Sequence, residues 1–112
     1  MITVVELPEF IKRSERLLKE NERQNIVNYL ANHPAAGVVM QGTGGIRKLR
    51  WKIEGTGKSG GVRIIYYYYN EQYPLFLLTL FSKSERVNLS KAERNELAKL
   101  TRKLVQTYRR QK

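Results

Sequence analysis

Six basic residues crowd the stretch from Arg47 to Arg63: Arg47, Lys48, Arg50, Lys52, Lys58 and Arg63, with Glu54 the one acid among them. Four tyrosines, Tyr66 to Tyr69, follow directly. These side chains have a chemistry of their own. Arginine clamps phosphate oxygens bidentately. A lysine crowded by other cations can exchange protons near neutrality. Tyrosine stacks on bases or donates from its hydroxyl. Cleaving RNA needs little else. The 2′-hydroxyl of one nucleotide attacks the adjacent phosphorus, so a site must align that attack, stabilise charge on the phosphorane oxygens and move protons. The same residues would also make a basic surface that binds RNA or DNA and does nothing more. The residues alone leave both readings open.

Other chemistries fit less well. Seven of the eight glycines lie between Gly42 and Gly61, and G-T-G-G and G-T-G-K-S look like pieces of phosphate loops. The segment from Gly55 to Lys58 is too short for G-x-x-x-x-G-K-[ST], and a strand rather than a helix follows it. His33 is the only histidine. It stands beside Pro34 and reads as a capping or surface residue. Cysteine is absent, which removes thiolate chemistry, disulfides and the commonest structural zinc ligand. No cluster of carboxylates or histidines suggests a metal, and no cofactor is implied. Glu54 could act as a general base or could simply relieve the charge of its neighbours.

The elements that must position these cations follow from periodicity. From Ile46 to Ile53, period two sets Lys48, Arg50 and Lys52 on one face of a strand and Leu49, Trp51 and Ile53 on the other. Gly55 to Gly61 reads as a hairpin loop. Val62 to Asn70 is the next strand, with two tyrosine rings on each face. Tyr73 to Ser82 is almost continuously apolar, as a strand buried on both faces should be, and Pro74 fits only its start. Upstream, Ile2 to Leu7 reads as a strand. Pro8 then opens a helix bearing Phe10, Ile11, Leu17 and Leu18. A second helix from about Glu20 to Asn32 stops before Pro34. Ala35 to Gly45 connects, with V-V-M as an apolar anchor. Ser90-x-x-Glu93 is a capping box, and Leu97, Leu100, Leu104 and Tyr108 form the stripe of a C-terminal helix. The order is strand, helix, helix, three strands, helix. The last three strands should form an antiparallel meander, with helices over one sheet face and the cationic face free.

The 112 residues suit a single domain over 1–112. The net charge of +11 points to nucleic acid, an anionic membrane or an acidic protein as partner. No apolar run approaches the roughly 18 residues of a membrane span. The N-terminus lacks a basic segment followed by an apolar one, so it reads as mature sequence. A reducing, cytoplasmic setting without membrane is expected.

The run R-K-L-R-W, the segment G-K-S-G-G-V-R-I-I-Y-Y, the strand end L-L-T-L-F-S-K-S-E and the element order resemble the RelE/ParE toxin superfamily, specifically its HigB-like branch. The resemblance implies an α+β, RelE-like fold: an antiparallel sheet packed on one face by two N-terminal helices and a C-terminal helix. It implies a type II toxin that cuts translated mRNA in the ribosomal A site without metal. It also implies a cognate antitoxin, usually a helix-turn-helix DNA-binding protein, that brings the pair to operator DNA. Carried over by position, Lys48 and Arg50 act on the 2′-hydroxyl and the phosphate, Arg63 clamps the transition state, and Lys83 is the last-strand cation. Ser84 stands where some relatives carry an arginine. Arg47, Lys52, Lys58, Tyr66 and Tyr68 are the candidate contacts to RNA or ribosome. The alternatives are a ParE-like inhibitor of DNA gyrase and an RNA-binding module without activity.

Overall fold

Local signals set the helix ends. In the computed structural model, which describes residues 1–53, 61–86 and 88–111, α1 (Pro8–Leu17) opens on its proline, where a missing donor costs nothing. α2 (Glu20–Asn32) begins with the Lys19 N–H donating to Glu22 Oε1 at 2.9 Å. It ends where the His33 N–H reaches Tyr29 O at 2.8 Å, one residue before Pro34. α3 (Lys91–Gln111) starts on the expected reciprocal box. The Ser90 N–H donates to Glu93 Oε1 at 2.9 Å, and the Glu93 N–H donates to Ser90 Oγ at 3.1 Å.

The strands are β1 (Val4–Glu6), β2 (Val38–Val39), β3 (Ile46–Trp51), β4 (Val62–Tyr67) and β5 (Leu75–Ser82). They lie in the order β1-β5-β4-β3-β2. β2 to β5 pair antiparallel, giving the expected meander. β1 joins parallel to β5, with Val4 beside Leu75, so the sheet is mixed. β5 therefore has a strand on either side, and every residue from Leu75 to Phe81 is buried.

The α+β class is as expected and the element order differs only by the added β2; the sheet, expected to be antiparallel, is mixed because β1 runs parallel to β5, and two further details differ. Helices cover both faces of the sheet. Phe10 of α1 and Ile26 and Leu30 of α2 pack with Val62, Ile64, Tyr66, Leu75, Leu77 and Leu80. On the other face Val105 packs with Ile46, Ile65, Tyr67 and Phe76, joined by Leu97, Leu104 and Tyr108. The cause is in β4 and β5, which are apolar at both parities and so need cover on both sides. The second difference is V-V-M, where only Met40 is buried. Val38 and Val39 form a short edge strand, 73% and 48% exposed.

α3 is tied at its start by charge. Arg86 Nη1 donates to both carboxylate oxygens of Glu93, at 2.6 and 2.7 Å. These bonds, with the Ser90 N–H, hold the Glu93 carboxyl down at about 2, against an ordinary 4.5. A depressed carboxyl stabilises the fold above its unfolded value and loses that contribution as pH falls through the folded one. Glu93 should therefore add stability above about pH 4.5 and lose it progressively toward pH 2. Urea unfolding at pH 5.5 and pH 3 tests this. The wild-type midpoint should fall further between those two values than that of Glu93→Gln, and equal falls would remove Glu93 from the account.

Candidate active site

The register of β3 on β4 builds the site. Arg50 lies directly opposite Arg63, Lys48 opposite Ile65, and Ile46 opposite Tyr67. Directly opposed residues have Cα atoms about 4.5–5.5 Å apart, so two guanidinium side chains rise side by side. Like charges in that position destabilise a sheet. Arg50 is exposed and Arg63 and Lys48 are half-buried. Among the described residues none of Lys48, Arg50, Lys52 and Arg63 takes part in a salt bridge. The pair lies on the α3 side of the sheet, beyond the part that α3 closes. An anion set between the two arginines would relieve their repulsion and fit their forked donors.

The row continues across β4. Arg63 is opposite Phe81 of β5. The guanidinium of Arg86 sits 4.9 Å from the Phe81 ring centroid, a cation–π contact, with Glu93 holding its far side. Arg86 escaped the sequence reading because its place depends on the turn after β5 and on Glu93, neither of which has a strand periodicity. Lys83 is exposed in that turn, its N–H donating to Gly61 O at 3.3 Å. That bond brings it to the end of the sheet where Arg63 begins its strand. The Ser84 and Ser82 hydroxyls are 2.7 Å apart.

The remaining candidates divide. Lys52 is exposed just past β3. Lys58 lies outside the described residues, as does most of the expected hairpin loop. Three of the expected RNA contacts have other work. Tyr66 is fully buried on the α1/α2 face. Its hydroxyl donates to Pro34 O at 2.9 Å and accepts the Gly37 N–H at 2.7 Å, and burial raises its pKa above the ordinary tyrosine value. Arg47, opposite Tyr66 in the register, donates through Nη1 to Gly37 O at 2.7 Å and Ala35 O at 3.2 Å. Together they fasten residues 34–37, the lead into β2. Tyr68 is half-buried against the same α1/α2 core. None of the three faces the cations. His33 is exposed and packs on Tyr29, with ring centroids 4.7 Å apart. Tyr108 meets Phe76 edge-on at 5.5 Å, a core contact.

The sequence pattern of the family described as "RelE toxin of RelE / RelB toxin-antitoxin system" matches residues 12–112. The chain belongs to the RelE toxin family. A mutant of the E. coli toxin RelE, solved in the free state, has the same fold. The two superpose with a TM-score of 0.51 at 14% identity, over 78% of this chain and 98% of that one. Family membership makes the chain the toxin half of a toxin–antitoxin pair, with an antitoxin as its partner. Among the described residues no helix of this RelE-family toxin is long and apolar enough to cross a membrane.

The Tyr66 fastening is open to test. A Cβ on Gly37 would stand 2.8 Å from Tyr66 Cε1 and 3.0 Å from Lys48 O, so the loop approaches as closely as it does only because residue 37 is glycine. Tyr66→Phe keeps the ring and strands the Gly37 N–H and the Pro34 carbonyl. It should cost about 1–3 kcal/mol, read from the denaturant midpoint at unchanged slope. A neutral variant would show that water replaces the hydroxyl.

Proposed function

We propose that this toxin is a ribosome-dependent mRNA endonuclease of the HigB-like branch, cutting translated messages in the A site by attack of a 2′-hydroxyl on the adjacent phosphate. The observation that carries the proposal is the direct opposition of Arg50 and Arg63 on a solvent-facing part of the sheet, with Lys48 two residues along the same face. A sheet that must pair two guanidinium groups gains most from a ligand that places negative charge between them, and the charge on a pentavalent phosphorus is greatest in the transition state. In this reading Arg50 and Arg63 clamp the non-bridging oxygens, Lys48 serves the 2′-hydroxyl, and Lys83 approaches from the neighbouring turn. Lys52, and Lys58 beyond it in sequence, would meet the phosphates on either side. Side chains that clamp phosphate this way bind in a strongly salt-dependent manner, because each contact releases counterion.

The antitoxin of such a pair would be a helix-turn-helix protein that carries the complex to operator DNA. Its reading frame should lie beside that of the toxin.

Arg63→Ala should leave the thermal melt nearly in place, since the side chain stands beyond the part of that face which α3 closes and belongs to neither core cluster. It should lower the cleavage rate by about 10²–10³, the loss typical of one transition-state donor, and so abolish growth arrest. The deciding measurement maps mRNA 5′ ends after brief induction of the wild type. Cuts in register with codons on translated messages support the reading. Intact messages alongside broken chromosomal DNA would replace it with gyrase inhibition, and a folded Arg63→Ala variant of full toxicity would move the site elsewhere.

A further inference from the structure

The face that carries the arginine pair bears a second group of side chains. Arg63, Ile65, Tyr67 and Tyr69 alternate along β4 and its continuation, and six residues of extended chain span about 20 Å. Ile65 and Tyr67 are closed over by α3. Past that cover Tyr69 emerges, 43% exposed. Its ring is nonetheless held. It lies nearly parallel to Tyr67, with centroids 6.4 Å apart and planes at 21°. It also meets Tyr73 edge-on at 4.9 Å and 89°. Arg109 Nη2 donates to its hydroxyl at 3.3 Å. Arg109 and Arg110 are exposed, and from Lys99 to the C-terminus the chain has six cations and no acid. Glu71, the acid on the adjoining turn, lies on the opposite side, lining a cavity with Tyr68 and Ala31.

A fixed, exposed aromatic ring with one guanidinium on its hydroxyl, and a second exposed arginine next to that one in sequence, is what an unpaired base and its phosphate require. Stacking needs a ring that loses little freedom on binding, and the phosphate needs a cation alongside. We infer that Tyr69, with Arg109 and Arg110, is a second docking point of this toxin for single-stranded RNA, stacking one base at a distance from the scissile phosphate. The inference rests on the reading of the chain as an RNA-directed toxin and extends it. With anchors at both ends of the face, the ligand must be a strand and cannot be a mononucleotide. A duplex keeps its bases stacked on one another and has none to offer the ring.

The test measures fluorescence anisotropy of a labelled 12-nucleotide single-stranded RNA on the full chain carrying Arg63→Ala. It is therefore read apart from cleavage. Adding Tyr69→Ala should weaken binding about ten-fold, near the low end of one base stack. Adding Tyr69→Phe should retain the parent affinity, because the ring remains and only the bond from Arg109 is lost. Arg109→Gln should weaken binding and lower the slope of log affinity on log salt by about 0.7, the loss of one single-strand phosphate contact. Thermal melts confirm that each variant is folded. Binding by Tyr69→Ala that equals the parent overturns the inference. So does Tyr69→Phe falling as far as Tyr69→Ala, which would make Tyr69 a fastener for α3. Equal sensitivity to Tyr69→Ala with a blunt RNA duplex overturns it too. If wild-type toxin cuts no message while the expected binding losses hold, the cleavage reading fails and the docking point stands.

Discussion

The register between β3 and β4 is the constraint on which the site depends. Side chains alternate with a period of two, so a slip of one residue would exchange every face. Lys48 and Arg50 would then enter the α1/α2 core, and Leu49 and Trp51 would turn toward the open side. Burial of these apolar groups against α2 makes that exchange costly: Leu49 and Trp51 pack on the core that holds Ile26 and Leu30, and Trp51 meets Tyr29 edge-on at 5.5 Å. The opposition of Arg50 and Arg63 is thus enforced by the other face of the sheet, and the repulsion is held in place by hydrophobic packing that the cations take no part in.

The same logic explains why two of the most suggestive side chains serve the scaffold. Arg47 and Tyr66 face each other in the ladder one step from Lys48, at the parity that points away from solvent. A half-buried guanidinium and a buried hydroxyl need partners, and the backbone of residues 34–37 supplies them to Arg47 Nη1 and the Tyr66 hydroxyl. The edge strand β2 that follows is held by those bonds and by its pairing with Arg47 and Lys48. Val38 and Val39 contribute little burial of their own.

How much of this could be read in the sequence depends on the range of each signal. Pro8, Pro34 and the Ser90/Glu93 box act within one helical turn, and the helix ends they imply are those observed. The faces of β3 were legible because Lys48 and Arg50 alternate with Leu49 and Trp51. The four tyrosines were not legible individually, because an alternation of identical residues says nothing about which face a helix will cover. Tyr66 is a buried fastener, Tyr67 is buried under α3, Tyr68 is half-buried against α1 and α2, and Tyr69 is exposed. Apolar residues at both parities of β4 did imply cover on both faces. That signal was outweighed by the expectation that a cationic face must be wholly free. Only the two ends of the face, at Arg50 and at Tyr69, lie open beyond α3. Arg86 depends on Phe81 and Glu93, contacts made through a turn, and no local pattern announces them.

The parallel partnership of β1 and β5 carries a consequence for the order in which the molecule can assemble. Val4 pairs with Leu75, so the first strand to leave a ribosome waits for the last. α1 and α2 are complete by Asn32, yet the apolar residues they pack on, Val62 to Leu80, come later in the chain. Short helices without a sheet to cover are marginal, and contacts this distant in sequence slow folding. The arginine pair shares that delay, since β4 is held on one side only until β5 arrives. A chain of this topology fixes the opposition of Arg50 and Arg63 only once β5 has been added beside β4, long after α1 and α2 have been made.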